Sequence, residues 1–138
     1  MHLILQNMPT LFVAHYGHPL LKGAKHWSFL LPKQNDPEFC TAYQVTGSTT
    51  TYEIKNPEDV SLNKSESYMG KVEVGSIEES RRTEFESVVL AVPVTRGNAA
   101  WHCQHWIIEV LAELKANGFD AKTYRLAELA DLLAKTSK

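Results

Sequence analysis

The sequence predicts one α+β domain over residues 1–138, an antiparallel sheet packed against helices. Three observations carry that reading. Up to Gly75 the apolar residues come in short runs rich in β-branched and aromatic members, broken by Gly, Pro and Asn. Beyond Gly75 they recur at intervals of three and four, the spacing of one helix face. The links between the early runs are too short for helical crossovers, so neighbouring strands are expected to run antiparallel.

Taken in order, Thr10 to Tyr16 reads as a strand that ends at Gly17-His18-Pro19. Lys25 to Leu31 reads as a second, closed by Pro32, with His26, Ser28 and Leu30 on one face and Trp27, Phe29 and Leu31 on the other. Lys33 to Glu38 is a polar turn carrying Pro37, and Phe39 to Thr46 a third strand with Ala42, Gln44 and Thr46 on a common face. Thr50 to Lys55 is the expected fourth strand, stopped by Asn56-Pro57; a polar loop runs on to Ser67, and Tyr68 to Val74 is the fifth. Ser76-Ile77-Glu78-Glu79 fits a capping box for a first helix, whose stripe is Phe85, Val88, Val89 and Val92 before Pro93. A second helix is expected with Asn98 as its N-cap and Asn117-Gly118 as its stop. It carries Cys103, Ile107, Val110, Leu111 and Leu114 on one face and leaves Phe119 to make the closing apolar contact. Tyr124 to Ala134 closes the chain as a third helix, with Leu126, Leu129, Leu132 and Leu133.

At 138 residues, 43% hydrophobic and 22% charged, the chain is long enough for one core and has ordinary globular composition. Fourteen basic residues are scattered among sixteen acidic ones, for a formal charge of -2. Nucleic-acid binding needs clustered positive charge, so no nucleic-acid partner is expected. The longest apolar runs, Leu11 to Ala14 and Ile107 to Leu111, fall far short of the ~20 residues of a membrane span, so no stable membrane insertion is expected. With no basic n-region or long apolar h-region at Met1 to Asn7, the expected compartment is the cytoplasm, where Cys40 and Cys103 remain free thiols.

The question is then what a thiol does. A cysteine near the start of a helix feels the helix dipole, and an imidazole close by holds its thiolate; both effects lower the thiol pKa and make a nucleophile. Cys103 meets the first condition, and His26, on a strand, can meet the second. Gln44 on the next strand can orient the imidazole through its carbonyl oxygen, and the Cys103 N–H can receive the oxyanion. The opposing reading of each residue is structural: a cysteine on an apolar helix face is more often packing, and Cys40 beside Phe39 is read so. His15 and His18 flank a loop that can border a groove faced by His26. His102, Cys103 and His105 do not converge on one ion at such spacing, so no metal and no cofactor is expected.

His26-Trp27 on a strand, followed by His102-Cys103-Gln104-His105-Trp106 opening a helix, resembles the circularly permuted papain-like superfamily. In its lecithin retinol acyltransferase and phospholipase/acyltransferase branch a His-Trp strand precedes an Asn-Cys-Glu-His-Phe helix. The chain is closer still to small, largely uncharacterised fungal proteins with His-Trp, His-Val-Xaa-Gly and Asn-Cys-Gln-Xaa-Trp motifs. NlpC-type relatives keep the same three roles in the order Cys, His, polar; permutation gives His, polar, Cys, the order found here. The resemblance spans nearly the whole chain. It implies a cysteine hydrolase or acyltransferase with Cys103 as nucleophile, His26 as base and Gln44 as third member, taking a small-molecule or peptide acyl substrate. A catalytically degenerate module that binds a small molecule or protein is the alternative. Two positions depart from the pattern: Gln44 stands where the fungal proteins have His, and His102 where the motifs have Asn. The cysteine helix is expected to pack on the sheet face that carries His26 and Gln44.

Overall fold

The computed structural model describes residues 8–17, 26–34, 38–61 and 67–136. Strands β1 (Thr10–Tyr16), β2 (His26–Pro32), β3 (Phe39–Tyr43), β6 (Glu58–Ser61), β7 (Tyr68–Ser76) and β8 (Asp120–Ala121) form one sheet in the order β6-β3-β2-β1-β7-β8. Every pairing in it is antiparallel. Two short strands, β4 (Val45–Thr46) and β5 (Glu53–Ile54), make a separate ladder. A 3₁₀ turn at Glu79–Arg81 leads into α1 (Arg82–Ala91), followed by α2 (Cys103–Ala116) and, after β8, α3 (Leu126–Ala134). The protein is therefore α+β, a six-stranded antiparallel sheet with three helices among the described residues.

Strand alternation decides what lies on each face of the sheet. Leu11, Val13, Trp27, Phe29, Leu31, Tyr43 and Val74 join the buried helix residues Phe85, Val89, Trp106, Ile107, Val110, Leu111, Leu114, Leu129 and Leu133 in the main core. The opposite parity, Ala14, Leu30, Cys40 and Ala42, makes a second, smaller cluster edged by Phe12, Tyr16, Val60 and Tyr68. With both faces covered, β1 and β2 are nearly continuous apolar runs rather than alternating ones. This corrects the expected placement of the cysteine helix. The large aromatic side chains have the area to fill the space under helices, so α2 sits on the Trp27–Phe29–Leu31 face, with Phe29 edge-on to Trp106 at 6.0 Å.

Four local expectations are also corrected. Ser76 does not cap a helix; it ends β7, where its hydroxyl donates to Asp120 of β8 at 2.8 Å. Asn98 does not cap α2 either, because its side chain accepts from Ala100 N at 2.9 Å in a turn that precedes the helix, and His102 becomes the N-cap. The expected third strand breaks at Gln44, dividing β3 from β4. The fourth shrinks to Glu53–Ile54, because Ser48 and Thr51 close a turn through main-chain and hydroxyl hydrogen bonds. The stop at Asn117-Gly118 is as expected: Gly118 has φ +83°, a left-handed conformation that suits glycine, and Phe119 folds back into the core.

Candidate functional site

Cys103 is the first residue of α2, where main-chain N–H groups have no partner within the helix. His102, extended at φ -142° and ψ 177°, turns the chain into that first turn. The thiol is half-buried against β2, and the N–H groups of Cys103 itself, Trp27 and Gln104 act on it. Burial nevertheless pushes the Cys103 thiol above its ordinary pKa, and those N–H dipoles offset the rise only in part. The lowered pKa expected from dipole and imidazole is thus replaced by a raised one. Loss of solvation outweighs what those N–H groups return.

His26 and Gln44 are brought together. His26 Nε2 hydrogen-bonds to Gln44 Oε1. The Gln44 amide donates through Nε2 to Glu58 Oε1 at 3.3 Å, and Glu58 is salt-bridged to Lys55 at 2.8 Å. A carboxylate only accepts, so Glu58 turns the amide NH₂ toward itself and the amide oxygen toward His26. That oxygen in turn requires the proton on His26 Nε2, which leaves Nδ1 with the free lone pair. Alternation assigns His26 to the face away from α2, and its ring meets that of its register partner Tyr16 at 6.0 Å. Cys103 reaches the strand one residue farther on, at the Trp27 N–H. His26 and Gln44 are therefore bonded to each other, and Cys103 touches the main chain beside them.

Tyr52 was not legible as a site residue. It is 7% exposed and packs edge-on to Trp101 at 5.3 Å. Burial raises the pKa of its hydroxyl, the Cys103 thiolate adds to the rise, and the Cys103 N–H opposes it, which places the hydroxyl beside Cys103. Arg96 fixes this segment by donating to the Tyr52 carbonyl at 2.7 Å. The one available signal was an aromatic residue within the polar run Ser48 to Lys55. Glu58 falls in the polar stretch expected to be a loop and carries no motif of its own.

The remaining candidates separate clearly. Cys40 belongs to the second cluster at 6% exposure, where burial raises its thiol pKa. His15 is 3% exposed, with Nε2 3.2 Å from Thr136 Oγ1 after α3. His18 lies outside the described residues. Among the described residues, no three His, Cys, Asp or Glu side chains form a group able to hold a metal ion. No helix among them is long and apolar enough to cross a membrane.

Fold and site together define a small α+β protein with a half-buried thiol at a helix start beside a His–Gln pair. Residues 14–119 match the profile of a family of unknown function, DUF6540, and the chain belongs to that family. The matched segment includes His26, Gln44, Tyr52 and Cys103 and ends before α3. No curated protein and no solved structure matches the chain.

Proposed function

We propose that the protein is a permuted papain-like cysteine hydrolase or acyltransferase. It acts in the cytoplasm on a small-molecule or peptide amide, ester or thioester. The observation that supports this best is the meeting of three separate chain segments: His26 bonded to Gln44, and Cys103 at a helix start against the Trp27 N–H. In this mechanism the His26 ring, which rests against Tyr16, turns toward Cys103; the Cys103 sulfur attacks the acyl carbonyl and its proton passes to His26 Nδ1. The Cys103 N–H and the Tyr52 hydroxyl donate to the oxyanion. Collapse of the tetrahedral adduct breaks the bond to the leaving group, which takes the proton from His26. Water or a second acceptor then attacks the thioester, His26 receives its proton, and the thiol returns to Cys103. Gln44, held by Glu58, keeps His26 in the tautomer this cycle needs.

A second reading has an observation of its own. A thiol raised by burial, with the imidazole turned toward Tyr16, suits a degenerate module that binds a ligand without turning it over. Incubation with activated esters and thioesters, followed by intact-mass measurement, separates the two. The proposal expects an acyl adduct on Cys103 that forms and decays, and is lost in Cys103→Ala and His26→Ala. Absence of any adduct with folded wild-type protein, or turnover that persists in Cys103→Ala, overturns the thiol mechanism.

A further inference from the structure

The first turn of α2 is capped in an unusual way. N-caps are ordinarily oxygen acceptors, from Ser, Thr, Asp or Asn, with Glu or Gln returning the bond from the third helical position. Here both acceptors are imidazole nitrogens. His102 Nδ1 accepts from Gln104 N at 3.3 Å, and His105 Nδ1 accepts from His102 N at 3.1 Å. The two rings stand 4.3 Å apart at 60°.

We infer that His102 and His105 form a proton-operated clasp on the first turn of α2, which positions Cys103 while both rings are neutral and releases it when either ring is protonated. A nitrogen that accepts from an N–H must carry its lone pair, so both rings are held as the Nε2–H tautomer. Protonation converts an acceptor into a donor that faces another donor, and the capping bond is lost. It also puts a positive charge at the positive end of the helix dipole and beside a second imidazole. His102 already feels the second of these: burial first, and then the charge of His105, push its pKa below the ordinary histidine value.

The groups around the clasp are an indole ring, a carboxylate, a thiol, a phenol and a guanidinium. Trp101 stacks on His105 at 6.2 Å and 25°, and Glu109, the carboxylate of this part of α2, is engaged by Trp101 Nε1 at 2.8 Å. On the facing side stand Cys103 and Tyr52, whose carbonyl holds the Arg96 guanidinium, and β2 presents the Trp27 N–H with His26 next to it in the chain. Because the native state resists the proton on His102, that residue's share of the clasp is fully present above about pH 6.5 and is lost as pH falls from there through its lower native pKa.

This inference concerns the setting of Cys103 and stands whether or not the thiol turns over a substrate. It is tested by ¹⁵N-edited NMR of the wild-type chain, which reports the tautomer of each imidazole, together with hydrogen exchange at His102 and Gln104. At pH 8 both rings are expected as Nε2–H tautomers. On acidification His102 should titrate below the unperturbed range, and protection of the two amides, corrected for intrinsic rate, should fall about fivefold for each lost cap. The double variant His102→Asn, His105→Gln keeps two acceptors that do not titrate, and its protection should not change over this range. An Nδ1–H tautomer on either ring at pH 8 overturns the clasp, and that measurement needs no variant to fold. Equal pH dependence in wild type and double variant overturns it as well.

Discussion

Replacing Trp106 isolates the contact that seats α2 on the sheet. The residue is fully buried, packs edge-on to Phe29 at 6.0 Å, and donates from its indole N–H to the Val92 carbonyl at 2.9 Å. Trp106→Ala removes the ring and leaves a void, which costs about 3–5 kcal/mol, and it also leaves the Val92 carbonyl without its donor, for about 1 kcal/mol more. The sum is comparable with the whole stability of many domains, about 5–15 kcal/mol, so the alanine variant is expected to be marginally folded. Trp106→Phe is the informative partner. It keeps most of the packing and loses the hydrogen bond, for an expected cost of about 1–3 kcal/mol, or a fall of a few degrees up to about 10 °C in Tm. Urea unfolding followed by far-UV circular dichroism measures both without using the mutated indole as reporter. An unchanged midpoint for Trp106→Phe would refute the claim that the Val92 bond contributes, and an unchanged midpoint for Trp106→Ala would refute the packing of α2 on β2.

Gly75→Ala should destabilise by about 2 kcal/mol or more and expose the β8 amides to exchange, because a Cβ there would stand 2.1 Å from the Asp120 carbonyl oxygen of the paired strand. Iodoacetamide should label Cys103 before Cys40, which is 6% exposed, and the Cys103 rate should climb only as pH passes the usual thiol pKa of about 8.5; equal labelling on peptide mapping contradicts the site drawn above. Tyr16, raised to about 12 by burial and then by Tyr68 and Cys40, should hold its neutral form through ordinary alkaline conditions. Its stabilisation is complete below the unfolded value of about 10 and is lost as pH rises through 12, so unfolding followed across pH 9–12 should show the decline. On any acyl substrate that is turned over, Cys103→Ala and His26→Ala should each remove nearly all activity and their combination little more, while Gln44→Ala leaves a measurable fraction.

The parts of the fold that sequence reveals are those whose side chains do the pairing. Strand β1 is read with its observed bounds because seven apolar, β-branched or aromatic residues run unbroken to Gly17. Strand β6, Glu58–Ser61, is invisible for the opposite reason: it is an edge strand joined to β3 through its main chain, and its charged residues read as loop. The two-residue β8 leaves no periodic trace. At Ser76 and Asn98 the residue type fits a cap, but each finds a nearer partner, Asp120 across the sheet and Ala100 within a turn. A capping signature states what a side chain is able to accept; tertiary pairing decides which donor it meets.

The same distinction runs through the site. That His26 stands on a strand beside the segment that carries Gln44, and that Cys103 lies near the start of a helix, follows from hydrophobic spacing and turn residues. Which face of the sheet receives the helix does not follow, because β1 and β2 are apolar on both sides and alternation alone gives two equal answers. Side-chain size breaks the tie: Trp27 and Phe29 have the area to fill the space under α2, whereas the opposite parity, with Ser28 and Leu30, meets the small Ala14, Cys40 and Ala42. The same choice buries the thiol. A nucleophile read from the helix dipole alone omits the desolvation that comes with being pressed against a central strand, and for Cys103 that cost exceeds what the N–H groups return. If the site is catalytic, the thiolate must therefore form in concert with proton transfer to His26 rather than stand ready beforehand.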